Sequence, residues 1–366
     1  MTIAHLIAPI SFGGGESLLL NLTRERSQGV DEIVISIFHS EIFNQYLDAD
    51  RITHYELQKK ALGHGISKIS MLFRTPLLLL LLPKLILILW RRNVNVLHVH
   101  GYPAVLMGAV VNCILGIRSI YTHHFYRSKP FYLERLILGL CYKTYATCTG
   151  VSNLVTESMK KAFPMISSRL VTVHNCVGIN FFHTQHDPAY QYLRTSKRTL
   201  FVQIARFSSF KNQLLVVESL GKLSAEERAQ VCVVFAGEGV EKPNVMKRAC
   251  ELGLVEEVRF LGFVMNENLP GLLACADFGL FPSENEGFGI GAAECLAAGL
   301  PVLALDTELM REVVGDGGLL LSKEKFHHGF KSIMKIGNSL SEKAKQQATQ
   351  FRPDKIKKEY LKIYQS

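Results

Sequence analysis

The chain has 366 residues, of which 48% are hydrophobic, enough to bury two α/β domains rather than one. Its eight cysteines are scattered singly, without a C-x-x-C pair or a His/Cys run of metal-ligand spacing, which excludes a disulfide scaffold or a zinc module read from spacing; free thiols in a reducing cytoplasm are expected. The net charge of +9 is uneven: residues 1–178 carry 18 Lys and Arg against 10 Asp and Glu, and residues 179–366 carry 23 against 22, so an anionic partner is expected for the first half.

In chain order, residues 1–8 have no basic n-region or cleavage site and read as a first buried strand, Ile3 to Ala8, not as a secretory signal. Gly13-Gly14-Gly15-Glu16 and the apolar helix Ser17 to Leu22 follow. A strand, a glycine loop and a helix make a crossover whose turn can take an anion, although any tight turn of this kind needs glycine. The loop lacks the spacing and downstream acid of a dinucleotide fingerprint, which disfavours a dehydrogenase. Pro76 to Trp90 is an apolar run of fifteen residues between Arg74 and Arg91-Arg92, broken by Pro83-Lys84. It falls short of the roughly 20 residues that span a bilayer. Two readings remain: a buried core helix, or a helix lying in the headgroups of an anionic membrane through residues 74–92, with Trp90 at the interface. No interleaving of aromatic and basic residues suggests a nucleic-acid partner.

Alternation of strands and helices predicts a parallel sheet covered on both faces. Val94 to His100 and Ser119 to Thr122 are strands, ending at Gly101 and at His123-His124. Ligands of open α/β sheets bind at such carboxyl ends. His98 and His100 are read as satisfied core histidines. Ser152 N-caps a helix, and Leu170 to Val173 is a strand. Residues 178–196, polar and without helical or strand period, are read as an interdomain linker. The second half opens on the strand Leu200 to Ala205, then Arg206 and Lys211, two cations at the mouth of a crossover that can clamp a diphosphate. The strands Val231 to Ala236 and Val258 to Gly262 lead into Gly237 and Phe263, respectively.

Phe281 to Ala304, FPSENEGFGIGAAECLAAGLPVLA, organises the chain. It reads as a strand end, a glycine-rich turn, a small-residue helix from Gly289 to Ala298 and a second strand from Val302 to Leu305. The helix N-terminus offers free N–H groups to phosphate. Glu286 and Glu294, with seven residues between them, are a little over two turns from one another, which puts the second carboxylate deeper on the same side, where it can accept from a diol. The alternative is that both glutamates solvate or cap a surface helix. Lys355 to Tyr364 closes the chain as an amphipathic basic helix, either a surface helix or one that crosses back to the first domain.

The pattern Pro-Ser, Glu286, seven residues, Glu294, then Gly-Leu-Pro-Val resembles the donor-site signature of the retaining glycosyltransferases of family 4, whose fold is called GT-B. The resemblance extends from Gly13 to about Gly317 and is closer in the second half. It implies two doubly wound Rossmann-like α/β domains facing a central cleft: residues 1–178 for the acceptor, 179–350 for the nucleotide sugar, and 351–366 as a helix crossing back. It implies that Glu294 binds the ribose hydroxyls and that Glu286 contacts the sugar, with Phe288, Gly289 and Ile290 presenting backbone N–H groups. Arg206 and Lys211 match the element that neutralises the leaving diphosphate, with Ala205 in place of the usual glycine. Gly237 matches a Gly-x-Gly turn, and Gly262 with Phe263 a segment whose backbone reads the nucleobase edge. Gly13 and Gly14 match a loop facing the donor diphosphate and the acceptor. His124 matches a Thr-x-His element that holds the transferred sugar; His123 is the alternative, since Phe125 stands where the family has an acidic residue or glycine. No metal and no cofactor are implied, the substrate being a UDP- or GDP-linked sugar. The expected activity is transfer, with retention, to a hydroxyl of a glycan or lipid-linked acceptor in bacterial surface polysaccharide or lipopolysaccharide assembly, by a cytoplasmic protein peripheral on the inner membrane. The alternatives are a nucleotide-sugar epimerase of the same fold and a non-catalytic basic membrane-binding protein.

Overall fold

The computed structural model describes residues 1–9, 13–59, 78–102, 104–125, 132–194 and 198–366. Two compact units divide the chain: Met1–Cys176 with Pro353–Ser366, and Val177–Arg352.

The first unit is built on a parallel sheet of seven described strands: β1 (Thr2–Ile7), β2 (Asp31–Ser36), β3 (His54–Glu56), β4 (Val96–His100), β5 (Arg118–His123), β6 (Thr147–Gly150) and β7 (Leu170–Thr172). Their order is β3-β2-β1-β4-β5-β6-β7, so the winding reverses between β1 and β4. Strand residues alternate between two cores, as a pleat of period two requires. Ala4, Leu97 and Tyr121 face one core with Leu85, Leu89, Val105 and Tyr142. Their neighbours Ile3, Val96 and Ile120 face another with Leu18, Leu22, Ile356 and Tyr360. The last two come from the C-terminal helix Pro353–Gln365, which is therefore a core element of this unit and not a surface helix.

The apolar run after Pro76 is neither wholly core nor wholly surface. Arg74, Pro76 and Leu77 lie outside the described residues; Leu79–Leu81 form a 3-10 turn and Leu82–Arg91 an α-helix. Leu78, Leu85 and Leu89 are buried, whereas Leu80 is 76% exposed, Leu87 43% and Trp90 71%. Pro83 sits at the start of the helix, where its missing N–H has no partner to lose. Among the described residues no helix is long and apolar enough to cross a membrane.

The second unit repeats the plan with β8 (Thr199–Ile204), β9 (Val231–Ala236), β10 (Val258–Gly262), β11 (Phe278–Phe281), β12 (Val302–Leu305) and β13 (Gly318–Leu321), all parallel, in the order β10-β9-β8-β11-β12-β13. Here the winding reverses between β8 and β11. Phe201, Phe235, Phe278 and Leu303 pack on Phe326 and Phe330. Within the segment read as a linker without period, Ile179–His183 and Pro188–Arg194 are 3-10 turns. Arg194 ties it down, its Nε donating to the Cys275 carbonyl at 2.7 Å and its guanidinium pairing with Asp277 at 2.8 Å. Such turns have a period near three and bury only Phe181 and Leu193, so the amphipathic signal of an α-helix is missing.

Candidate active site

In the second unit, the reversal of strand order places the ends of β8 and β11 side by side, the usual ligand position in an open α/β sheet. After β8 the chain passes Arg206, turns through Ser209–Lys211 and enters the helix Gln213–Gly221 by way of Asn212, held at φ 57°. After β11 it passes Ser283 and Glu286 and enters the helix Ile290–Ala297. Gly289, the N-cap, has φ 86°, and a Cβ there would stand 2.9 Å from Met310 and 3.2 Å from Phe281; a larger residue would meet both strain and crowding. A Cβ on Gly291 would come within 2.8 Å of the Ile204 carbonyl, so the small residues of this helix let it press against the end of β8.

These loops bring three of the expected side chains together. The Lys211 ammonium donates to Glu286, and it lies 5.3 Å from the centre of the Phe281 ring. Glu294, on the helix, is 5% exposed, and burial raises its carboxyl to about 8, with the Lys211 charge pulling the other way. Glu294 is thus no surface carboxylate. Arg206 is exposed, and its carbonyl accepts from Gln213 Nε2 at 3.2 Å. Phe288 is buried edge-on to Phe351, with ring centres 5.1 Å apart, so its backbone and not its ring is what the turn can offer. Ile290 is half-buried. Gly237 has φ 153°, its N–H donates to the Gly262 carbonyl at 2.7 Å, and a Cβ would meet the Ala205 carbonyl at 2.1 Å. This contact locks the loops after β8, β9 and β10 together and leaves Phe263 half exposed. The same place holds polar groups not singled out from the sequence. Gln203 donates to the Lys211 carbonyl at 2.9 Å, while its Oε1 and the Ser283 Oγ are buried without partners. A glutamine in the apolar strand TLFVQI was the available signal.

In the first unit, Gly13 caps the helix Gly14–Arg24 and its N–H donates to Glu16 Oε2 at 3.1 Å. Gly15 faces His124: a Cβ there would touch the imidazole at 3.8 Å, and one on Gly14 would lie 3.9 Å from Asn175 Nδ2. The loop and His124 are thus neighbours at the ends of β1, β4 and β5. Both His124 ring nitrogens are buried without partners, and burial lowers its pKa to about 3, so the ring is neutral. His123 instead accepts or donates at 3.0 Å with the Tyr121 hydroxyl. His98 is satisfied, by Tyr364 and Thr122, as expected. His100 is not: its Nδ1 has no partner. Folding also gathers His5, His98 and His100 so that one ring nitrogen of each lies within 4.8 Å of the others, a cluster that linear spacing does not show because it joins β1 to β4.

Two family matches cover most of the chain: "Glycosyltransferase Family 4" over residues 12–181 and "Glycosyl transferases group 1" over residues 190–351. Among relatives, the N-acetyl-alpha-D-glucosaminyl L-malate synthase of Bacillus anthracis is 25% identical over 303 residues, 75% of each chain. The O-antigen chain mannosyltransferase B of Escherichia coli is 33% identical over 111 residues, 30% of this chain and 29% of that one. Among solved structures, Anabaena Alr3699/HepE in complex with UDP superposes with a TM-score of 0.80 at 18% identity, covering 100% of both chains, which speaks to the fold alone. With both halves matched, the fold shared and the glutamate pair in place, the chain belongs to the family 4, group 1 glycosyl transferases.

Proposed function

We propose that this protein transfers a sugar, with retention, from a nucleoside diphosphate to a hydroxyl of a glycan or lipid-linked acceptor in surface polysaccharide assembly, and that it needs no metal to do so. The observation that carries this reading is the buried Glu294 carboxyl, which feels the charge of Lys211, with Lys211 itself paired to Glu286, at the strand reversal. Burial raises that carboxyl to about 8, and the two hydroxyls of a ribose diol would supply hydrogen-bond donors to it.

The transfer breaks the bond between the sugar C1 and the diphosphate oxygen, and forms a bond from C1 to the acceptor oxygen on the same face. The acceptor proton passes to the departing phosphate oxygen. Negative charge grows on that phosphate, and Arg206 and Lys211 stabilise it electrostatically, as the donors of an oxyanion hole do. Lys211 has three N–H donors, so it can hold Glu286 and a phosphate oxygen together. Glu286, paired with Lys211, accepts from a sugar hydroxyl in this reading and does not attack C1. The N–H groups around Phe288, Gly289 and Ile290 serve the phosphate or sugar, Gly237, Gly262 and Phe263 border the base, and in the first unit Gly13, Gly14 and His124 are the residues assigned to substrate. Leu80, Leu87 and Trp90, exposed beside the cations Lys84, Arg91 and Arg92, support peripheral contact with an anionic membrane at the cytoplasmic face.

The test is to incubate the protein with UDP- and GDP-linked sugars, a lipid-linked glycan and a chelator, and to read the anomeric configuration of the product by proton NMR. A product with the donor's configuration is expected. Inversion, or activity only after a divalent ion is restored, would contradict the proposal.

A further inference from the structure

A buried polar chain in the first unit ends beside His124 and plays no part in the transfer step described above. It begins at Lys357 on the C-terminal helix, whose ammonium is buried and donates to the Leu22 carbonyl at 2.9 Å and to Glu32 Oε2. The other oxygen, Glu32 Oε1, lies 3.0 Å from His5 Nε2, and His5 Nδ1 lies 3.1 Å from His100 Nε2. The protons along this chain follow from the donor inventory of each group. A carboxylate paired with lysine has no proton to give, so His5 Nε2 carries one and donates it. A neutral His5 then keeps a lone pair on Nδ1. The proton in the contact with His100 therefore belongs to His100 Nε2, and His100 Nδ1 is a bare lone pair, buried and without a partner.

This lone pair sits at the carboxyl end of β4, at the β1/β4 reversal where open sheets take their ligands. The His124 ring lies 5.7 Å away at 30°, and its nitrogens and Asn175 Oδ1 are also buried without partners. A metal centre fits the cluster poorly. Both nitrogens of His5 are engaged, and those of His98 are held at 2.7 Å by Tyr364 and by Thr122, which leaves His100 Nδ1 as the one vacant ligand atom of the three rings. His100 Nδ1 and Asn175 Oδ1 are acceptors, the neutral His124 ring carries one donor and one acceptor, and no cation stands among them, which suits the hydroxyls of an uncharged ligand better than an anion.

We propose that Lys357 and Glu32, acting through His5, fix His100 in its Nε2–H tautomer, so that His100 Nδ1 accepts a hydrogen bond from a hydroxyl of an uncharged polyol bound at the Gly13–Gly15 loop. Lys357, Glu32 and His5 are positioning residues; His100 is the binding residue. The inference rests on the transfer reading only in taking that polyol for the acceptor substrate.

The tautomer is read directly in the full-length protein labelled with 15N-histidine, by long-range proton–nitrogen correlation, with His100 assigned through His100→Gln. The wild type is expected to show His100 protonated at Nε2. In Glu32→Gln the amide must turn its oxygen to Lys357 and its NH2 to His5, so His5 and then His100 reverse, and His100 carries its proton on Nδ1. His5→Phe, which keeps the ring's bulk but cuts the chain, is expected to leave His100 as a mixture of both tautomers. Wild-type His100 protonated at Nδ1, or a tautomer unchanged in a folded Glu32→Gln or His5→Phe protein, would overturn the proposal. Methyl α-glucopyranoside is expected to shift the His100 Nδ1 resonance of the wild type and inorganic phosphate to leave it in place; a response to phosphate, or none to the glycoside at saturation, would overturn the ligand class. Neither reading needs a donor or turnover, so a failure here is distinct from a failure of nucleotide binding in the second unit.

Discussion

Glu294 shows at the residue scale what burial does to a common side chain. Folding leaves this carboxyl 5% exposed, and desolvation lifts it from an ordinary 4.5 to about 8. Between those two values the folded protein holds a proton that the unfolded chain has lost, so its contribution to stability is fully present below pH 4.5 and is lost as pH rises through about 8. Glu294→Gln removes the titration. Chemical denaturation at pH 5 and pH 8 is expected to show the variant gaining on the wild type at the higher pH, by something on the order of a few kcal/mol. Parallel pH dependences would contradict the burial argument. The glutamate spacing was legible in the sequence because the turn, helix and strand around it are local. The partners that give each side chain its state were less so. Lys211 was expected on a diphosphate and Glu286 on a sugar, yet the two meet each other across 75 positions of chain. The His5–His100 contact was missed for the same reason: a parallel sheet makes neighbours of residues far apart in sequence, and periodicity carries no register between strands.

Among the elements, the buried strands were the most legible, since runs such as VCVVFA match the pattern of a sheet covered on both faces. The C-terminal helix was harder. Its sequence KIKKEYLKIY is basic enough to suit the surface, and only the structure shows Ile356, Lys357, Tyr360 and Tyr364 buried in the first unit. Tyr360 is fully buried, and its hydroxyl lies 3.2 Å from Thr122 Oγ1. Tyr360→Ala is expected to destabilise the protein by about 3–5 kcal/mol, the usual cost of removing a large core side chain; a loss below about 1 kcal/mol in thermal or urea unfolding would mean that the helix does not complete this core. The apolar helix Leu82–Arg91 divides the other way. Leu78 belongs to the core, so the informative substitutions for membrane contact are those of exposed residues. Leu87→Glu with Trp90→Ser is expected to abolish sedimentation with vesicles containing anionic lipid while leaving the melting temperature within a few degrees of wild type. Binding that persists in the double variant would remove this helix from any membrane contact.

For the whole molecule, the two units share one construction, a parallel sheet whose winding reverses once, and near that reversal the first holds the unpartnered polar atoms of His100, His124 and Asn175 and the second those of Gln203 and Ser283. The chemistry differs. The second unit offers cations, a glutamate pair and helix N–H groups, which suits a charged nucleotide; the first offers neutral imidazoles and a glycine loop. On the proposed reading the second unit takes the nucleotide, a ligand common to many enzymes, and that would account for the closer family pattern in that half. The most direct test of the account is thermal stabilisation by UDP, GDP, ADP and CMP, with chelator present, in the wild type and in Glu294→Ala. One diphosphate is expected to raise the wild-type melting temperature, as a ligand bound to the folded state must, and to lose most of that effect in the variant. Stabilisation that is equal in both proteins, or absent with every nucleotide, would contradict a donor site built on Glu294.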